Sequence, residues 1–322
     1  MRQYRIKRRV GQYAVTENGI LTVDMPRGYD YESIGFRLAG GIQVTTNFAA
    51  VRAENPIQLI KRIELVADGK NTIDSVTGVL INRANMFRRG QLGTLVPASG
   101  FVVATYQVNA SGIIDRALID GIRPKDANMR TSGMQLLQLR FTFGAVVDCF
   151  TGAGVGVLSA MLIDVWTNEL VEIADANEQL TKPLFLLKRS YQDITITAAN
   201  ANLEVILPIG NVMRGIVARF EGNPTAGEPS DLVCNNITLR SGVDVRLNLP
   251  YLVAREGCKM DYDITTLPPG IVVADLMHMG QQAGVRASEG WDLTNASEAK
   301  LVLDVNGTGT PKASIMTMEL LS

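Results

Sequence analysis

The sequence predicts an all-β chain built as two β-sandwich domains in tandem, with short inserted helices. Three observations carry that expectation. Strand-like runs are many, and turn residues separate them at short intervals, glycine alone occurring 30 times. Several runs alternate. Leu137, Leu139, Phe141 and Phe143 are interleaved with Gln138, Arg140 and Thr142, and Leu301, Leu303 and Val305 follow the same rule. A period of two marks a strand with one buried and one wet face. Finally, the second half of the chain repeats the first.

In chain order, residues 1–18 read as a basic N-terminal arm, 19–182 as the first β domain and 183–322 as the second. The polar stretch Glu172 to Lys182, followed by Pro183, reads as the linker. Strands are expected over Ile20–Met25, Ile34–Leu38, Ile63–Val66, Phe101–Val108, Leu136–Phe143 and Val157–Trp166. In the second half they are expected over Ile194–Ile196, Leu203–Leu207, Gly215–Phe220, Ile237–Leu239, Val243–Leu247, Ile271–Leu276, Leu301–Val305 and Ser314–Leu320. Thr77–Arg89 reads as a helix with Val79, Leu80, Ala84 and Phe87 on one face, capped by Asp74 or Ser75 and stopped by Gly90. Pro250–Met260 reads as a second helix, with Pro250 at its first position. Gly152, Gly154 and Gly156 precede a strand and no helix follows, so they mark a hairpin or bulge and not a phosphate loop.

The duplication is collinear. Leu21, Val23, Pro26, Gly28, Ile34, Arg37 and Gly40 recur without a gap as Leu203, Val205, Pro208, Gly210, Ile216, Arg219 and Gly222. Random pairing over twenty positions gives roughly one identity. Downstream, Ile63-Glu-Leu65 matches Ile237-Thr-Leu239, and Asp68-Gly69 matches Ser241-Gly242. The helices match at Ile81-Asn-Arg83 and Val253-Ala-Arg255. Val102-Val-Ala104 matches Val272-Val-Ala274, and Leu139 and Phe141 match Leu301 and Leu303.

Composition narrows the chemistry. The chain has 322 residues, 46 % hydrophobic and 20 % charged, which is the balance of a globular protein of about two domains. Net charge is −1, so any contact with nucleic acid or membrane would come from a local patch. Cys149, Cys234 and Cys258 have no metal-ligand spacing and read as small buried hydrophobes. The single histidine, His278, sits between methionines, and no GxSxG motif exists to partner it. No enzyme is expected. Asp261 and Asp263 offer two oxygens to a hard cation, but the full calcium-loop pattern is absent, so no cofactor is expected. No apolar run is long enough for a membrane-spanning helix, and no apolar stretch follows the basic start as in a signal peptide. The expectation is a protein made in the cytoplasm.

The duplicated block with Pro26/Pro208 and Gly28/Gly210 carries a resemblance, together with the equivalently placed helices and the basic start Met1-Arg-Gln-Tyr-Arg-Ile-Lys-Arg-Arg9. The chain resembles the double jelly-roll major capsid proteins of tailless, icosahedral bacteriophages with an internal membrane. The resemblance covers nearly the whole chain. It implies two eight-stranded jelly rolls standing upright in a shell, and a homotrimer whose six rolls form a pseudo-hexagonal capsomer. It implies neighbouring capsomers, penton and minor capsid proteins, an internal lipid membrane and packaged nucleic acid as partners. It also implies a place in the virion after assembly in the host cytoplasm, with no enzymatic activity.

Within that resemblance, the loops Ile113–Gly133 and Gly280–Ser297 are expected to make capsomer contacts. Arg2, Arg5, Lys7, Arg8 and Arg9 put five cations in nine residues, and they are expected to face lipid headgroups or genome. Two alternatives stand beside this one: a two-domain β-sandwich binding module of lectin or adhesin type, and a minor capsid or spike protein. The first is disfavoured by scarce aromatics, 6 % of the chain. The second is disfavoured by the duplication.

Overall fold

A computed structural model describes residues 2–89, 93–117, 127–173, 185–222, 227–276 and 290–321. They fall into two compact units, the first ending at Leu187 and the second starting at Lys188. The boundary expected at 182/183 lies outside the described residues.

The first unit contains β1 (Arg2–Ala14), β2 (Ile20–Asp24), β3 (Asp30–Thr46), β4 (Ala50–Val51), β5 (Ile60–Ala67), β6 (Asn71–Val76), α1 (Gly78–Arg89), β7 (Leu95–Val96), β8 (Ala104–Asp115), β9 (Met129–Arg130), β10 (Leu137–Phe143), β11 (Phe150–Thr151) and β12 (Val155–Ile173). Setting aside the two-residue strands, eight remain. One sheet runs β1-β12-β3-β8 and the facing one β6-β5-β10-β2. In order of appearance these are strands 1-8-3-6 and 5-4-7-2, the alternation of a jelly roll. The core lies between the sheets. Ile34, Phe36, Leu38 and Ile42 of β3 meet Leu139, Phe141, Ile63 and Leu65, all fully buried. The Phe36 and Phe141 rings cross edge-on at 5.8 Å.

The second unit contains β13 (Leu186–Thr195), β14 (Asn200–Ile206), β15 (Val212–Glu221), β16 (Cys234–Ser241), β17 (Asp244–Pro250), α2 (Tyr251–Asp261), β18 (Ile271–Asp275), β19 (Trp291–Asp292), β20 (Lys300–Val305) and β21 (Lys312–Leu321). Its sheets run β18-β15-β21-β13 and β14-β20-β16-β17. The two-residue β19 aside, that is again 6-3-8-1 and 2-7-4-5. Each unit inserts its helix between the fifth and sixth strands. The fold is therefore a double jelly roll.

Strand register tests the repeat residue by residue. Leu139 lies opposite Val23 and Leu65, while Leu301 lies opposite Val205 and Leu239. All three of those positions were paired by the repeat, so the match holds across three strands. Gly28 and Gly210 both adopt positive φ, at 122° and 90°, in the turn between the second and third strands. One match slips. Ile34 lies opposite Ile114, and its counterpart Ile216 lies opposite Ala274. Ala274 thus corresponds to Ile114 and not to Ala104. The apolar pair Val102 and Val103 drew the alignment ten residues early, although both are exposed and precede the strand.

Other expectations also shift. Residues 1–18 are not an arm outside the first roll, since β1 pairs with β12 from Arg2 opposite Ile173 to Ala14 opposite Leu162. Thr77 caps α1, its Oγ1 accepting from the Leu80 N–H at 3.2 Å. Asp74 is instead buried on β6. Pro250 closes β17 and stands just before α2, with ψ of 138°. Within the expected loops, Ile113–Asp115 belongs to β8 and Trp291 is a buried residue paired with β15. Residues 118–126 and 280–289 of those loops, Gly90, His278 and residues 174–183 of the expected linker lie outside the described residues.

Candidate assembly surfaces

The described residues offer little to catalysis. No group of three metal-ligating side chains occurs among them. Burial pushes the Cys234 thiol up to about 12 and that of Cys258 to about 11, and it raises Cys149 further still. A thiol held protonated is a poor nucleophile. All three are expected to alkylate slowly in native protein at pH 8 and quickly in denaturant, as a timed thiol titration would read. The sign of the linked stability follows. Unfolded thiols ionise near 8.5. The stabilising contribution is therefore complete below about that pH, and it declines as pH rises toward 11. No helix among the described residues is long and apolar enough to cross a membrane.

What the rolls do present is sheet edges. β1 is hydrogen-bonded to β12 on one side and is the outer strand of its sheet. Its side chains alternate, with Arg5, Lys7 and Arg9 outward and Ile6, Arg8 and Val10 half-buried. The cations are engaged within the roll. Arg5 Nε lies 2.9 Å from Glu32, and Arg9 Nη2 lies 2.6 Å from Asp164. Lys7 Nζ sits 5.5 Å from the Trp166 ring centroid. Arg8 Nη2 lies 3.4 Å from Glu169, a carboxylate buried to 1 % exposure. Glu169 also accepts from the Thr167 hydroxyl at 2.6 Å. The exposed pairs contribute about 0–1 kcal/mol each, whereas Arg8 compensates a charge already removed from water. The five basic residues at positions 2–9 thus fall on one strand, with Arg5, Lys7, Arg8 and Arg9 bound to the roll by charge and ring contacts.

Two further groups escaped sequence reasoning. Arg83 of α1 reaches Glu54 at 3.2 Å, both buried. Arg255 of α2 reaches Asp231 at 2.6 Å and donates to the Leu267 and Pro268 carbonyls at 2.8 Å. Glu54 and Asp231 both precede the fourth strand of their roll, so each inserted helix is fastened to the same place. The repeat had already paired Arg83 with Arg255, but their partners are non-local and lie at unequal spacing. Likewise Thr167-Asn-Glu169 on β12 recurs as Thr317-Met-Glu319 on β21, with all four Thr and Glu side chains buried. Ile34 opposite Thr167 and Ile216 opposite Thr317 fix that equivalence.

The second roll exposes apolar side chains near a sheet edge. On β17, Val245 and Leu249 are exposed, and on α2 so are Leu252, Val253 and Met260.

No protein-family model and no curated protein sequence matches the chain. Solved structures do. The chain is similar to the STIV major capsid protein, with a TM-score of 0.74 at 14 % identity, over 99 % of this chain and 97 % of that one. It is similar to a chain in the atomic structure of Sulfolobus Turreted Icosahedral Virus, with 0.74 at 16 %, over 98 % and 90 %. It is also similar to the major capsid protein P2 from Bacteriophage PM2, with 0.64 at 12 %, over 99 % and 98 %. At these identities the likeness shows a shared fold, the double jelly roll.

Proposed function

We infer that the chain is a major capsid protein of an icosahedral virus, a building block and not an enzyme. One observation carries the reading. Both rolls are complete, share one strand order and one inserted helix, and match capsid proteins over nearly the full length of both chains. Three copies would present six rolls around a closed ring, and a closed ring covers edges that a monomer leaves open.

Light scattering on a sizing column is the test. The expected mass is about 105 kDa, three times 34.9 kDa, with hexagonal outlines in negative stain. A monodisperse monomer at high concentration would overturn the reading.

The finer partners belong to the same proposal: neighbouring capsomers, penton and minor capsid proteins, an internal membrane and packaged nucleic acid, in a virion assembled in the host cytoplasm. For the membrane, the outward cations of β1 supply the contact, with Arg5 exposed to 75 % and Arg9 to 63 %. Each contributes about 1 kcal/mol near an anionic surface, reduced for Arg5 and Arg9 by their carboxylate partners. The double variant R5Q/R9Q is expected to sediment several-fold less with vesicles containing phosphatidylserine, at unchanged stability. Equal sedimentation would remove lipid from the role of this strand.

A further inference from the structure

The two inserted helices occupy the same place in equivalent rolls, yet they are covered differently. Every residue of α1 from Gly78 to Phe87 is buried, including Val79, Leu80, Ile81 and Ala84. On α2 only Tyr251, Ala254, Arg255 and Cys258 are buried. The other face exposes Leu252 at 59 %, Val253 at 53 % and Met260 at 78 %. Val253 and Met260, seven residues apart, share one side of the helix, and Leu252 flanks it, with the exposed Glu256 four residues from both Leu252 and Met260 on the same side. Gly257 lies at the margin of this side beside Val253 and has open space around it, so a neighbouring backbone can approach closely there.

The preceding strand differs in the same way. β6 buries Ile73, Asp74 and Val76. β17 is exposed along nearly its whole length, pairs only with β16 among the described residues, and leaves Val245 and Leu249 in water. Such an edge is a template for another chain unless it is blunted. Little here blunts it. Asp244 and Arg246 neutralise each other at 2.9 Å, as Glu256 and Lys259 do at 2.6 Å. The patch is apolar, locally neutral and flanked by an open strand, and in the first roll the matching elements are covered.

We propose that the outer face of α2, with the free edge of β17, is the surface on which a second copy of this chain docks. The proposal rests on the capsid reading and assigns residues to it. The occupant is a second copy for two reasons. The chain carries the same kind of face in a covered form in its own first half. The local charges also cancel, which suits a protein of net charge −1 meeting itself and disfavours a strongly charged partner. A contact between unlike surfaces of two copies is the kind that closes into a ring.

The test is the mass of the variant L252E/M260E beside the unmodified chain. Both side chains are exposed in the single chain, so the variant should keep its fold, read as an unchanged far-ultraviolet circular dichroism spectrum. The expected result is a fall from about 105 to about 35 kDa, as a closed ring of three would give on losing its interface. A variant that stays trimeric beside a trimeric parent overturns this assignment and leaves the capsid reading standing. A parent that is itself monomeric overturns the capsid reading. A second variant, Val253→Cys, reads the face directly. Its alkylation should be at least tenfold slower in the assembled protein than in the same variant carrying M260E. Equal rates, fast or slow, overturn the proposal, slow ones meaning that the chain's own residues cover the face.

Discussion

Replacing Arg116 by Met is expected to lower the stability of the first roll by about 3–5 kcal/mol, the usual cost of removing one member of a buried ion pair. Arg116 and Asp74 are both fully buried, and the guanidinium Nη1 donates to Asp74 Oδ2. Asp74 stands on β6 opposite Leu65, so the carboxylate belongs to the sheet that faces the core. Arg116 directly follows β8, where its backbone N–H bonds the Glu32 carbonyl at 2.7 Å. The pair thus ties the end of one sheet to the other. Met has similar length and fits the volume, so the loss measures the missing ion pair more than a cavity. The second variant decides this. D74N/R116M removes both charges and should recover a large part of the loss. Urea unfolding followed through Trp166, which lies in the first roll, supplies the measurement. If the double variant is as unstable as the single one, packing and not charge is what Arg116 provides.

The two-roll architecture was legible because core alternation survives divergence. Leu139 and Phe141 are fixed by neighbours on both sides, as are Leu301 and Leu303, and a slip of one residue would turn every one of them to water. Where that constraint fades, so does the reading. Val102 and Val103 look like strand residues in sequence and are exposed in the structure, and that cost the sixth strand its register. The assembly face was not legible at all. In sequence, Leu252 and Val253 cannot be told from Leu80 and Ile81, since apolar residues on a short helix read alike whether a core covers them or nothing does. Only burial in three dimensions separates the two. The helix clamps were hidden for another reason. A buried Arg is explained by its carboxylate, and Glu54 and Asp231 are distant in sequence from Arg83 and Arg255.

The basic start of the chain is where the two readings predict opposite results. Deleting residues 2–9 from a free arm would leave the melting curve untouched. Deleting them from β1 is expected to lower the stability of the first roll by about 2 kcal/mol or more, the usual worth of one hydrogen bond to a charged group. Glu169 would lose Arg8 and keep its burial. Trp166 would lose the Lys7 side chain above its ring. β12 would become an open edge from Trp166 to Ile173. An unpaired edge of that length also invites association, so the deletion should aggregate on warming as well as melt earlier. The sequence hid this strand because five cations in nine residues dominate the eye. The alternation of Ile6, Arg8 and Val10 against Arg5, Lys7 and Arg9 is nonetheless present, and it becomes meaningful once an inward Arg has a buried carboxylate to meet. R5Q/K7Q/R9Q separates charge from strand. It keeps every backbone bond of β1 and the Arg8 contact, and it should lose clearly less stability than the deletion, since exposed pairs contribute about 0–1 kcal/mol each. A deletion that melts like the parent would return residues 2–9 to the status of an arm.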